Sequence, residues 1–207
     1  PLTSAECTEV RQLVTEILGL LENDAAAEAE QKLVTLERLI PQDPFVVRNR
    51  AIARLMGLAA GRTPLDAARS AAEALLRSEP DDASAQILRG RLWAGIAEKE
   101  SGPELREQAL ARSAEAMQAA VAIMPQHWLP PYELFSVTRY AADPKWTAIG
   151  QRALDQAYER SSGNLFLLCD WLLSQAERKS PQLEEGMKAA KSRLATVRAG
   201  ILKRTRI

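Results

Sequence analysis

The chain is predicted to be all-α, a row of helical hairpins. Apolar residues recur in steps of three and four, as in Val10, Leu13, Val14, Ile17, Leu18 and Leu21, a spacing that only a helix keeps on one face. Aromatic residues make up 5% of 207 and alanine is abundant, which suits helices packed through small and aliphatic side chains. Nowhere do β-branched residues alternate between turn pairs as a strand requires.

The elements follow in order from their punctuation. Residues 4–22 form the first helix, with Ser4 as its expected N-cap, and Asn23-Asp24 break the pattern before a second helix runs over 25–40 to Pro41. Gln42-Asp43-Pro44 restarts a helix through Ala60, Gly61 closes it, and Thr63-Pro64 caps a fourth helix ending near Ser78. Asp81 and Asp82 cap the fifth, Gly102-Pro103 separates it from the sixth, and Pro125 ends that pair. Antiparallel packing of these two needs small residues at their crossing, for which Gly90, Ala114 and Ala120 are expected. Pro130 and Pro131 fit only near a helix start, so a seventh helix runs from Trp128 or Leu129 to Ala142. Asp143-Pro144 opens the eighth, which ends near Arg160. The last pair covers 165–179 and 182–206, the latter with Leu183, Met187, Ala190, Leu194, Val197 and Ile201 as its inward stripe.

Composition bounds the function. Lys plus Arg and Asp plus Glu both number 27, so the whole chain lacks the net positive charge that draws proteins to phosphate backbones or acidic membranes. No run approaches the ~20 apolar residues that cross a bilayer. Cys7 and Cys169 lie near opposite ends with no histidine or second thiol at metal-ligand spacing, which excludes a disulfide framework but leaves one long-range bridge open. The first residue is Pro1 rather than Met, which points to a segment of a longer protein.

Helix pairs ending at Pro41, Pro80 and Pro125 are 39 and 45 residues apart, with Ser162 marking a similar point 37 residues on. Periods of this length belong to solenoids. Counting back twelve, eight and five positions from each end gives Ala29, Leu33 and Leu36, then Ala68, Ala72 and Leu75, then Ser113, Met117 and Ala120, then Gly150, Leu154 and Ala157. In the first helices, Ala51 and Gly90 take a small-residue position and Trp93 an aromatic one. On these residues the chain, over 25–178, resembles the tetratricopeptide repeat family. It departs where Arg50 and Arg89 stand for a leucine, Arg54 for the aromatic, and Phe135 for the small residue. The resemblance implies a right-handed superhelix of about five hairpins, one domain over 1–207, whose first helices line a concave peptide-binding groove.

Catalytic chemistry finds little footing. His127, the only histidine, sits in a turn between units without partners for a relay or a metal, and reads as a surface or capping residue. The pairs Asp81-Asp82 and Glu184-Glu185 flank helix starts, where capping and the helix dipole account for them. Cys169, inside the apolar run LFLLCDWLL, is expected in the core. Gly90 and Gly95 fall within a helix and serve packing rather than a phosphate loop. No cofactor is expected.

Two charged features remain. Arg48, Arg50 and Arg54 on one first helix and Arg89 and Arg91 on the next recur at related phases, with Asn49 and Trp93 nearby. Gripping the carboxylates of a protein or acidic peptide is their functional reading, and bridging acids on adjacent helices is the ordinary one. The C-terminal run Lys188, Lys191, Arg193, Arg198, Lys203, Arg204 and Arg206 has no aromatic residue to stack bases, so a solvated helix end is preferred to nucleic acid or lipid binding. The sequence thus predicts a non-catalytic interaction scaffold, with self-association or packing against neighbouring domains as the rival.

Overall fold

The computed structural model describes residues 2–139, 141, 143–161 and 163–204, with backbone alone for 165 and 196–204. Ten α-helices and no strand are present among these residues. They fall into two compact units, Pro1–Pro125 and Gln126–Ile207.

The first unit holds α1 (Ser4–Glu22), α2 (Ala26–Leu39), α3 (Pro44–Ala59), α4 (Leu65–Ser78), α5 (Ala83–Lys99) and α6 (Pro103–Ile123). Each helix packs on the next, and the first helices of successive hairpins also touch, α1 on α3 and α3 on α5. Starts follow the capping chemistry with two corrections. Thr3, not Ser4, caps α1: its hydroxyl accepts the Glu6 amide at 3.3 Å while its own amide donates to the Glu6 carboxylate at 2.7 Å. Only Thr3 has a carboxylate three residues on, so only this register satisfies two amides reciprocally. Thr63 does not cap α4; its amide turns back to the Gly57 carbonyl, and Pro64 takes the cap position. Asp43 and Asp82 do cap α3 and α5, accepting from Phe45 at 2.9 Å and Ala85 at 2.7 Å.

The hairpin cores are built from small residues. A Cβ on Gly90 would lie 2.6 Å from Met117 Cε, and Ser113 Oγ donates to the Gly90 carbonyl at 2.8 Å, so α5 and α6 meet with no room for a side chain there. Ala114 and Ala120 are buried on the facing helix.

The second unit holds α7 (Leu129–Thr138), α8 (Pro144–Arg160), α9 (Leu165–Glu177) and α10 (Gln182–Arg204), each packed on its successor. The helix α7 stops short of the expected residue 142, which lies outside the described residues. Ala141 N–H turns back to the Thr138 carbonyl, and Asp143, preceding Pro144, is biased to extended backbone. Lys179, at φ 52°, ends α9 two residues early. Where Phe135 fills the small-residue position, its partner supplies the space: a Cβ on Gly150 would meet Thr138 Oγ1 at 2.3 Å.

The stripe expected on α10 packs only in part, through Ala190. Trp171 and Leu172 on α9 present such bulk that a Cβ on Gly186 would lie 2.4 and 2.8 Å from them, so Gly186 and Ala190 face α9. Met187 and Leu194 are turned to solvent, 44% and 58% exposed. The expected Val197 and Ile201 fall among the residues whose side chains are not described.

Candidate functional site

The arginines of α3 are drawn to acids on its neighbours. Arg50 grips Glu37 of α2 bidentately at 2.9 and 3.0 Å, and Arg54, one turn on, reaches Glu30 at 2.9 Å and the Ala67 carbonyl at 2.8 Å. Arg48 faces the other way, onto Glu79 at 2.5 and 3.2 Å and Asp82 at 3.1 Å. The Arg50 guanidinium holds the Glu37 carboxyl below the usual carboxylate range, and Glu79 raises Arg48 above the ordinary arginine value. Asn49 is buried and donates to the Phe45 carbonyl at 2.8 Å, bonding back along its own helix.

The site residues of α5 sit differently. Arg89 is 5% exposed; its Nη1 lies 3.2 Å from Gln86 Oε1 and its Nη2 3.9 Å from Glu115, while its Nε is buried without a partner. Trp93, one turn on and 3% exposed, lies beneath the Arg112 guanidinium, 4.6 Å from the ring centroid, and its Nε1 also lacks an acceptor. Arg91 is exposed. The structure therefore brings Arg89 and Trp93 to one face of α5, whereas Arg48 and Arg50 serve opposite neighbours of α3.

A 39-residue offset explains the contrast. It carries Asp43 onto Asp82, Ala51 onto Gly90 and Arg50 onto Arg89. The same step carries Glu37, the acid that closes Arg50, onto Leu76. The arginine is repeated and its acid is not. The partners Glu30, Glu37, Glu79, Gln86 and Glu115 were missed by the sequence reading, and this offset gives no signal for the first two, since it carries them onto Arg69 and Leu76.

In the second unit Asp155 gathers Trp171 Nε1 at 2.9 Å, Gln175 Nε2 at 3.1 Å and both Arg178 terminal nitrogens at 3.1 and 3.2 Å, fixing α8 to α9. Tyr132 donates to Asp170 at 2.7 Å, and burial beside that carboxylate pushes its hydroxyl up to about 12. A cleft of about 230 Å³ opens between α7, α8 and α9, below the volume that encloses most small-molecule ligands. Cys169 is exposed, correcting the expected core position: Leu167, Leu168 and Trp171 take the inward face and leave it outside. His127 is exposed too, its Nδ1 accepting the Leu129 amide at 3.1 Å at the start of α7.

Among the described residues no cluster of three or more His, Cys, Asp or Glu could hold a metal, and no helix is long and apolar enough to cross a membrane. No protein-family model, curated protein or solved structure matches the chain.

Proposed function

We propose that the first unit is a non-catalytic protein-interaction module, a tetratricopeptide-like right-handed stack of hairpins that takes an acidic peptide in a groove along α3 and α5. The carrying observation is the pair of unsatisfied N–H donors, Arg89 Nε and Trp93 Nε1, four residues apart on α5. Both lack acceptors, so their complement is an acceptor, and a carboxylate beside a guanidinium is the strongest available. The side chains above them are long and reach solvent: Glu115 is 71% exposed and Arg112 is about half exposed, at 51%. For a peptide to reach the donors, these two side chains have to swing aside.

Arg48, Arg50, Arg54 and Arg91 do not join Arg89 on one face: Arg48 and Arg50 turn to opposite neighbours of α3, Arg54 is held by Glu30, and Arg91 is exposed two residues from the buried Arg89. At the first three, a partner carboxylate gains only the difference between itself and Glu79, Glu37 or Glu30, which is close to zero. Affinity therefore concentrates on Arg89. An array of short peptides graded in Asp and Glu content, probed with the labelled chain, tests this. Binding should rise with acid content, fall ~10-fold or more on Arg89→Met, and change less than ~3-fold on Arg50→Met. Equal binding by the two variants, or none by the wild type, overturns the assignment.

A second reading, self-association, is favoured by the exposed apolar residues Phe166, Leu173, Met187 and Leu194 of the second unit.

A further inference from the structure

We propose that two copies of this chain associate by seating the outer stripe of α10 from one copy on the outer stripe of α9 from the other. The proposal deepens the self-association reading by naming the surfaces that meet.

Phe166 and Leu173 are 64% and 63% exposed and lie two turns apart on α9, each followed four residues on by an acid, Asp170 and Glu177. Positions 0, 4, 7 and 11 share one face of a helix. The stripe therefore alternates apolar and acidic side chains. On α10, Met187, Lys191 and Leu194 are exposed at the same 0, 4, 7 spacing with the charge reversed. A shift of 21 residues lays Phe166 on Met187, Asp170 on Lys191 and Leu173 on Leu194.

In that register the two helices run parallel. Within one chain they cannot, because α9 and α10 are joined by a four-residue turn and already pack through other side chains, Trp171 and Leu172 against Gly186 and Ala190. A second copy supplies the parallel partner. Pairing α9 with α9 in the same alignment would instead set Asp170 against Asp170. The α9 stripe is also held in place: Tyr132 donates to Asp170 at 2.7 Å and meets the Phe166 ring edge-on at 5.8 Å between centroids. With two apolar pairs and one charge pair the contact is small, so micromolar or weaker association is expected.

Sedimentation velocity of the 207-residue chain, from low micromolar to several hundred micromolar, provides the test. Leu173→Glu and Leu194→Lys replace side chains that are more than half exposed, and far-UV circular dichroism checks that both variants stay folded. Each alone should weaken association ~10-fold or more, and mixing the two in equal amounts should restore it to within ~3-fold of wild type, since Glu at 173 then faces Lys at 194. A wild-type chain monomeric throughout would end the self-association reading itself. Wild-type-like association of either variant, or a mixture no tighter than its components, would place the association elsewhere and overturn these surfaces alone.

Discussion

Arg50 and Arg89 occupy equivalent places in successive hairpins, so replacing each with methionine asks one question of two environments. Methionine keeps the unbranched stem and removes the guanidinium. At position 50 this breaks a bidentate pair; Glu37 is exposed enough, at 44%, to rehydrate, so the loss is that of a half-exposed ion pair, about 1 kcal/mol. At position 89 the removed group holds a buried Nε without a partner, whose desolvation costs ~1–3 kcal/mol, but its loss also strips the donor from Gln86 Oε1, on a residue only 2% exposed, at a similar cost. Arg89→Met should therefore be close to neutral for the first unit. The two variants then differ by about 1 kcal/mol, which separates their urea midpoints by roughly 0.5 M at a typical slope. Urea titration followed by circular dichroism, with hydrogen exchange of the α5 amides locating the change in the first unit, measures it. An Arg89→Met midpoint at or below that of Arg50→Met refutes the reasoning, and with it the idea that Arg89 is held at a cost.

Three other outcomes follow from the geometry. Gly186→Ala places a methyl 2.4 Å from the rigid Trp171 ring, and should destabilise the α9–α10 pair by ~1–3 kcal/mol less the ~1 kcal/mol gained in helix propensity, seen as faster amide exchange confined to those helices. Tyr132 has its folded-state value raised from 10.0 to about 12, so its contribution to stability is whole below pH 10 and lost as pH rises towards 12. Tyr132→Phe should remove the latest step from the tyrosinate absorbance titration and flatten that alkaline loss. Glu37 has its folded-state value lowered from 4.5, so its contribution is present above that pH and lost as pH falls through the lowered value. Glu37→Gln should make the acid limb of unfolding shallower, and an unchanged limb would mean the Arg50 pair contributes nothing.

What the sequence made legible were features set by neighbours along the chain: the α1 stripe apart from Leu18, which is 43% exposed, the caps at Asp43 and Asp82, and the small residues at the α5–α6 crossing. Phasing failed where polar residues take the inward face. On α9, Gln175 is buried because Asp155 accepts its amide, while Phe166 and Leu173 lie outside, so hydrophobicity counted around the helix puts Cys169 in the wrong place. On α10 the longer side chains Met187 and Leu194 make the stronger stripe, yet the Trp171 ring admits only Gly186 and Ala190. The arginines were legible as a repeat. Their acids were not, because Glu30 and Glu37 precede α3 on another helix and the 39-residue offset carries them onto Arg69 and Leu76, so no repeat marks them.

Alanine-lined crossings bury area without specifying alignment, since one small residue packs much like the next. The pairs Arg50–Glu37, Arg54–Glu30 and Arg48–Glu79 add little net energy but tie α3 to its neighbours at fixed points. Arg89 keeps the cation of this scheme and loses the acid to Leu76, a local inconsistency of the kind natural chains retain at strained or functional positions. Leu76→Glu restores the missing acid. Exchanging a half-buried leucine for a carboxylate gives up ~1–2 kcal/mol of apolar burial, of which a pair with Arg89 returns about 1 kcal/mol. The sharper readout is coupling: Leu76→Glu should cost at least ~1 kcal/mol more in an Arg89→Met background than in the wild type, and should depress acidic-peptide capture although Arg89 remains. Additive losses, with peptide capture untouched, would show that the offset relating Arg50 to Arg89 does not carry over to the acids that face them.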